Sequence, residues 1–158
     1  MAYGYDVTVT GSDATLGYLQ GLLLSAVLLG GRLPGARRPV QLPVGEHGLR
    51  ELPSKIRRAH LAQSLKLDEL PGRLEAVSLD QLKSDERALA GGEASFLAFR
   101  PALWRYDRVE LSLVIGVMRR EDGNWVIQEI GHIDAEFHEV DGRWESLNEP
   151  HVYLSSVG

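Results

Sequence analysis

Four side chains able to bind a metal ion or to move a proton alternate along one segment of the chain. Residues two apart on a β-strand point to the same face of a sheet, so the four are expected to share a face. Imidazole and carboxylate ligands together favour Zn²⁺, Mn²⁺ or Fe²⁺. Glu110, from the preceding strand, is expected to lie directly opposite the third of them and to add another carboxylate. The four residues are His132, Asp134, Glu136 and His138.

Two other interpretations of this strand face remain open. One is acid–base catalysis, in which His132 and either Asp134 or Glu129 carry protons in a cleft. The other is a solvated sheet surface, since four residues in line on one strand cannot all reach one ion. Opposed carboxylates such as Glu110 and Glu136 cost up to about 1 kcal/mol unless a cation or an arginine lies nearby. No cofactor is the default expectation, and a divalent metal is the alternative.

Composition and motifs exclude several classes of function. The chain has no Cys, which excludes disulfides, thiolate metal sites and cysteine nucleophiles, and a reducing cytoplasmic setting is expected. The serine-hydrolase, Walker-type and dinucleotide-binding signatures are absent. The formal net charge of −5 disfavours non-specific binding to nucleic acid. No substrate is indicated, so the sequence leaves enzymatic activity undecided.

The candidate site depends on three antiparallel strands predicted within residues 107–147. Apolar residues recur at every second position from Val109 to Val117, which is the period of a half-buried strand. Asp122-Gly123 and Asp141-Gly142 are typical of two-residue hairpin turns. A two-residue turn pairs Ile115 with Ile130, Val117 with Gln128 and Arg119 with Val126. Further along the hairpin, apolar residues stay opposite one another only if one strand contains an extra residue, which pairs Leu113 with Ile133, Leu111 with Ala135 and Val109 with Phe137. We therefore expect a β-bulge at Gly131.

The end of this hairpin nearest its first turn is expected to be apolar on both faces. A helix, a loop or a second copy of the chain should then cover it. A long loop at residues 30–48 is rich in Gly, Pro and Arg and is interpreted as a partner contact, a plain surface loop or an anion site. The candidate partner-binding residues from both regions are Val114, Met118, Trp125, Ile127, Arg32, Arg37 and Arg38.

The first half of the chain is expected to supply an opening strand and about three helices. Residues 3–9 alternate as a strand does. The apolar residues 14–31 predict a buried helix ended by Gly30-Gly31; this stretch is short for a membrane span and lacks the flanks of a signal peptide. Further helices are expected over residues 54–65 and, from a capping box at Ser78 and Gln81, over residues 78–89. Beyond them, a strand is expected over residues 94–100, and a short edge strand over residues 152–154 near the end of the chain.

Together these elements predict a single α+β domain over residues 1–158. The helices would pack on one face of a curved antiparallel sheet that ends in a meander. This order resembles the cone of the nuclear-transport-factor-2-like (NTF2-like) and cystatin-like folds at the level of architecture, and no motif accompanies the resemblance. Such folds host enzymes and binding proteins alike. The expected function is a non-enzymatic, self-associating protein-binding module, with a small enzyme or ligand-binding domain as the alternative.

Overall fold

A computed structural model describes residues 3–40, 58–60, 75–77, 79–84 and 93–154. Its architecture is a curled antiparallel sheet, a half-barrel, with one long helix. The helices are α1 (Tyr3–Leu29) and the short α2 (Leu79–Ser84). The strands are β1 (Arg58–His60), β2 (Glu75–Val77), β3 (Glu93–Phe99), β4 (Leu103–Arg105), β5 (Arg108–Glu121), β6 (Asn124–Val140), β7 (Arg143–Ser146) and β8 (His151–Leu154).

The two longest strands, β5 and β6, form the centre of the sheet. Counting from the turn that joins β5 to β6, the other edge of β5 pairs first with β3 and then with β4. The other edge of β6 pairs first with β8 and then with β7. All of these pairs are antiparallel, whereas β1 joins β3 in parallel and β2 joins β1 in parallel. Each long strand therefore changes partner along its length, as the bent strands of a curled sheet do.

Both predicted hairpin turns are confirmed. Asp122 and Gly123 have φ of 51° and 79°, and Asp141 and Gly142 have φ of 51° and 76°. Positive φ at both central residues is what a type I′ turn requires, and its twist matches that of the flanking strands. The strand predicted from residue 94 to residue 100 and the final edge strand are also confirmed, as β3 and β8.

The predicted register of the long hairpin is confirmed except at the bulge. The confirmed pairs are Val109 with Phe137, Leu111 with Ala135, Leu113 with Ile133, Val117 with Gln128, Arg119 with Val126 and Glu110 with Glu136. Ile115 lies opposite Gly131 instead of Ile130, and Gly116 lies opposite Glu129. The extra residue is therefore Ile130. Gly131 keeps an ordinary ladder position, without the positive φ that a glycine-specific bulge uses.

The inner face of the sheet packs against α1. On β5, Val109, Leu111, Leu113 and Ile115 are 0 to 1 % exposed. The same cluster contains leucines 16, 19, 23 and 24 of α1, and Leu33 and Val40 from the segment after it. Gly30 ends the helix as predicted: its φ is 76° and its N–H donates to the carbonyl of Ala26 at 3.0 Å, the left-handed helix cap that glycine favours.

Two expectations for the first half of the chain are wrong, and a third is not supported. Residues 3–9 continue α1 and do not form an opening strand, because once a helix is nucleated each further residue adds a hydrogen bond at little cost. Arg58–His60 form β1 where a helix was predicted over residues 54–65, because pairing with β2 and β3 overrides the local amphipathic pattern. The described residues hold two helices and not about three.

One further prediction for this half is confirmed in part, and the others lie outside the described residues. α2 confirms the predicted helix from residue 79 to residue 84, and its extension to residue 89 lies outside the described residues. So do the remainder of the 54–65 segment and the loop beyond residue 40. None of the described helices combines the length and the apolar content needed to cross a membrane.

Replacing Gly116 with Ala should destabilise the protein. An added Cβ would lie 2.5 Å from Cζ of Phe96, the residue directly opposite on β3, so the ring would have to move out of a buried position. Overpacking of this kind costs about 1 to 3 kcal/mol. Urea unfolding measures the loss. Gly31→Ala is the control, since nothing lies within 4 Å of a Cβ there, and an equal loss in both variants would contradict the close contact.

Candidate functional site

The side of β5, β6 and β8 turned away from α1, hereafter the outer face, carries the candidate site. Most of its polar residues are half-buried. Cross-strand pairs set its layout: Ser112 lies opposite Asp134 and Val114 opposite His132, while on the other edge of β6 His132 lies opposite Tyr153 and Asp134 opposite His151. The outer face is therefore a continuous polar and aromatic surface across three strands.

The bulge at Ile130 determines the contacts of His132. Residues three apart on a regular strand point to opposite faces, but the extra residue brings Glu129 to the same face as His132. As a result, His132 Nδ1 lies 2.9 Å from Glu129 Oε1. On its other side, His132 Nε2 lies 3.7 Å from Asp134 Oδ2. The imidazole is thus placed between two carboxylates.

Arg100 fixes the first of those carboxylates. Its backbone N–H donates to the carbonyl of Ser112 at 3.0 Å, which continues the β3–β5 pairing by one residue. Its Nη2 donates to both carboxylate oxygens of Glu129 at 2.8 Å. Charge-assisted hydrogen bonds of this kind orient both partners. The series Arg100, Glu129, His132 and Asp134 therefore forms one chain of polar contacts.

Aromatic stacking supports the other side of the imidazole. The rings of His132 and Tyr153 stack with centroids 4.7 Å apart and planes inclined by 22°. Tyr153 stacks in turn with His151 at 5.8 Å and 25°. A ring held by a carboxylate at Nδ1 and by a stacked ring on its face has little rotational freedom. His132 is accordingly held in one orientation within the candidate site.

Two polar atoms of the outer face are buried without a hydrogen-bond partner among the residues that the structure describes. They are Ser112 Oγ and Asp134 Oδ1, and their residues lie directly opposite each other. Buried polar groups in native proteins are nearly always paired. Leaving one unpaired costs about 1 to 3 kcal/mol. These two atoms therefore mark a position where a hydrogen-bond donor would be stabilising.

The predicted metal ligands are only partly brought together. His132 contacts Asp134, whereas Glu136 lies opposite Glu110. The Oε1 of Glu136 is 3.8 Å from Nη1 of Arg108. His138 lies opposite Arg108. Arg108 thus moderates the repulsion between the opposed carboxylates. Within the described part of the chain, no three His, Asp or Glu side chains form a group that could hold a metal ion. The metal hypothesis stays a prediction.

The predicted partner-binding residues fall into two separate regions. Near the first turn, Ile127 is 48 % exposed and Val114 and Trp125 are half-buried, but Met118 is fully buried within the chain. The exposed arginines 32, 37 and 38 lie towards the opposite end of the hairpin. There the carbonyl of Pro34 accepts a hydrogen bond at 2.7 Å from the N–H of Ser146, a residue paired with Phe137. The two regions do not form one surface.

Sequence reasoning missed Arg100, Tyr153 and His151 as members of the outer face. Arg100 reaches Glu129 across 29 residues of sequence, and no local pattern signals that pairing. Tyr153 belongs to a strand that was predicted, but its pairing partner was not. The sequence showed that β8 exists without showing that it extends the outer face beside His132.

No protein-family model matches the chain, and no curated protein matches it. One solved structure that does match is the crystal structure of an NTF2-like protein with a cystatin-like fold from Novosphingobium aromaticivorans. The two share 16 % sequence identity over 94 % of this chain and 91 % of that chain, with a TM-score of 0.26. A TM-score this low carries no argument about the site or about function.

Replacing Ser112 with Ala should leave stability unchanged or raise it by up to about 1 kcal/mol, because the lost hydroxyl is buried and makes no hydrogen bond. Ser146→Ala is the matched control. Ser146 is also buried, but its Oγ donates to the carbonyl of Asn148 at 2.5 Å, and its loss should cost about 1 kcal/mol. Chemical denaturation of both variants compares them, and a Ser112→Ala loss as large as that of the control would contradict the unpaired hydroxyl.

Proposed function

We propose that this chain is a non-enzymatic protein-binding module that self-associates through its outer face. The observation that carries the proposal is exposed apolar surface on that face: Ile127 is 48 % exposed and Tyr153 is 46 % exposed. Trp125, half-buried, lies on the same face two residues before Ile127. Large apolar and aromatic side chains supply most of the binding energy at protein interfaces.

The polar contacts around these residues suit an interface. Arg100, Glu129 and His132 are already held in one arrangement, so little side-chain entropy is lost on binding. The face carries both signs of charge, since Arg100 and Arg108 lie beside Glu129 and Glu136. A surface with both signs can be complementary to itself across a two-fold axis. A second copy of the chain is therefore the proposed partner.

The proposal includes a finer description of the fold and the setting. The long bent hairpin with α1 on its inner face supports a cone of the NTF2-like or cystatin-like kind. The Cys-free composition supports action in the cytoplasm, because reducing compartments do not use disulfides. Both statements extend the architecture described above and are part of the same proposal.

Replacing Ile127 with Glu should lower the molar mass of the protein in solution to that of one chain. A charge placed in the apolar centre of an interface is desolvated without a partner, and the loss of affinity should be about tenfold or more. Sedimentation equilibrium measures it. Leu29→Glu is the control, because Leu29 is 70 % exposed at the end of α1 and away from the sheet.

Two results would contradict self-association through this face. One is a wild-type protein that sediments as a single chain up to the highest concentrations used. The other is an Ile127→Glu variant whose mass equals that of wild type and of the Leu29→Glu control. The fully buried Met118 is unsuitable for this test, because a charge there would unfold the sheet before it disturbed a partner.

A second candidate function is a small ligand-binding or catalytic site centred on His132. The observation that favours it is the pair of contacts at 2.9 Å to Glu129 and 3.7 Å to Asp134. An imidazole between carboxylates is an arrangement used for proton transfer and, with a further ligand, for divalent metals. Asp134 Oδ1, buried and unpaired within the described residues, adds an unused acceptor on the carboxylate beside the imidazole.

Metal removal separates the two candidates. If His132 and Asp134 bind a metal, protein purified without chelator or affinity tag should contain it in stoichiometric amount. EDTA should then lower the unfolding temperature, and replacing both residues with Ala should abolish metal uptake. Elemental analysis and calorimetry measure these effects, with His138→Ala as control. A protein that contains no metal, and whose unfolding temperature does not change with EDTA, would contradict a metal site at His132 and Asp134.

A further inference from the structure

A pocket lies beside β8, on the side of the sheet that faces the segment after α1. Its volume is about 410 Å³, within the roughly 300 to 1,000 Å³ typical of small-ligand sites. Its walls come from two parts of the chain: the segment at residues 37–40 and the approach to β8. The lining residues are Arg37, Arg38, Pro39, Val40, Glu149, Pro150 and Val152.

Backbone hydrogen bonds fix one wall of this pocket. The N–H of Val40 donates to the carbonyl of Gly31 at 3.3 Å and the N–H of Ala36 to that of Leu33 at 3.0 Å, so the segment closes on itself. Gly35 packs against β7, since a Cβ at Gly35 would lie 3.1 Å from Cβ of Glu145. Val40 is buried in the core. The wall is thus built by tertiary contacts and does not depend on a ligand.

The opposite wall is joined to the first through Glu149. The backbone N–H of Arg37 donates to Glu149 Oε1 at 2.8 Å, which holds that carboxylate without using either guanidinium. Val152 lies on the inner side of β8, opposite Ile133. Pro150 and Val152 therefore complete an apolar floor with Pro39 and Val40.

The two arginines of the pocket are available for a ligand. Both are exposed, and neither guanidinium forms an ion pair with the residues that the structure describes. Glu149 contributes one negative charge against their two positive charges. A pocket with a surplus cation and an apolar floor is complementary to an anion that has an apolar body.

We propose that this pocket binds a small organic acid, independently of the function proposed for the outer face. The guanidinium groups of Arg37 and Arg38 bind the carboxylate of the ligand. The apolar body of the ligand lies on Val40 and Val152. Glu149 weakens this binding by charge repulsion and limits it to ligands of low charge.

Benzoate, benzamide and inorganic phosphate form the probe set for the test. Benzoate has both the charge and the apolar body, benzamide has only the body, and phosphate has only the charge. Titrations followed by NMR should show benzoate binding at least about threefold more tightly than either of the others, since an exposed ion pair contributes a few-fold in affinity. The methyl signals of Val40 and Val152 should shift with benzoate.

Substitutions in the pocket test which side chains bind benzoate. Arg37→Gln and Arg38→Gln should each weaken benzoate binding about threefold, and the double variant about tenfold. Arg32→Gln is the matched control, because Arg32 is an exposed arginine of the same segment that does not line the pocket. Glu149→Gln should tighten benzoate binding about threefold, because Gln keeps an acceptor for the Arg37 N–H and removes the repelling charge.

Three outcomes would overturn the proposal. Benzoate could bind no more tightly than benzamide, which would remove the role of charge. The Arg32→Gln control could weaken binding as much as Arg37→Gln or Arg38→Gln. Benzoate would then respond to the overall positive charge of the segment and not to the two arginines of the pocket. The shifted methyl signals could lie outside Val40 and Val152, which would place the acid elsewhere. None of these outcomes bears on self-association, which sedimentation tests separately.

Discussion

A β-strand alternates its side chains between two faces, so the register of β5 against β6 decides which residues form the core and which form the outer face. A shift by one residue would turn Leu111 and Leu113 towards water. The Asp122-Gly123 turn sets this register at one end, and Ile130 corrects it by one residue. The same extra residue brings Glu129 to the face of His132. One local irregularity thus maintains the packed inner face and assembles the candidate site.

The features that the sequence predicted well are those that depend on local spacing. The period of two in β5, the two Asp-Gly turns and the opposition of Glu110 to Glu136 all follow from counting residues along the chain. The bulge was misplaced by one residue because apolar pairing requires an extra residue near Ile130 and Gly131 without saying which one. Gly131 was favoured because glycine is common at bulges. No positive φ occurs at Gly131, so the neighbouring apolar residue, Ile130, can be the extra residue.

The features that the sequence did not predict depend on contacts between distant segments. Arg58–His60 lie within a segment, residues 54–65, whose spacing predicts an amphipathic helix, yet they form β1 because β2 and β3 offer backbone hydrogen bonds. Residues 3–9 alternate like a strand, yet they extend a helix that residues 14–29 would form in any case. The contact of Arg100 with Glu129 and the stacking of Tyr153 on His132 require the assembled sheet. Local propensity is a weak guide wherever tertiary pairing decides.

Packing of the inner face restricts where binding can occur in the described part of the molecule. Because α1 covers β5 residues that are 0 to 1 % exposed, accessible sites lie on the outer face or beside the segment after α1. β8 borders both. Tyr153 projects to the outer face beside His132, and its neighbour Val152 projects to the pocket near Arg37 and Arg38. Since β8 pairs with β6 at residues 131–134, immediately after the bulge, the position of Ile130 sets the alignment of both surfaces.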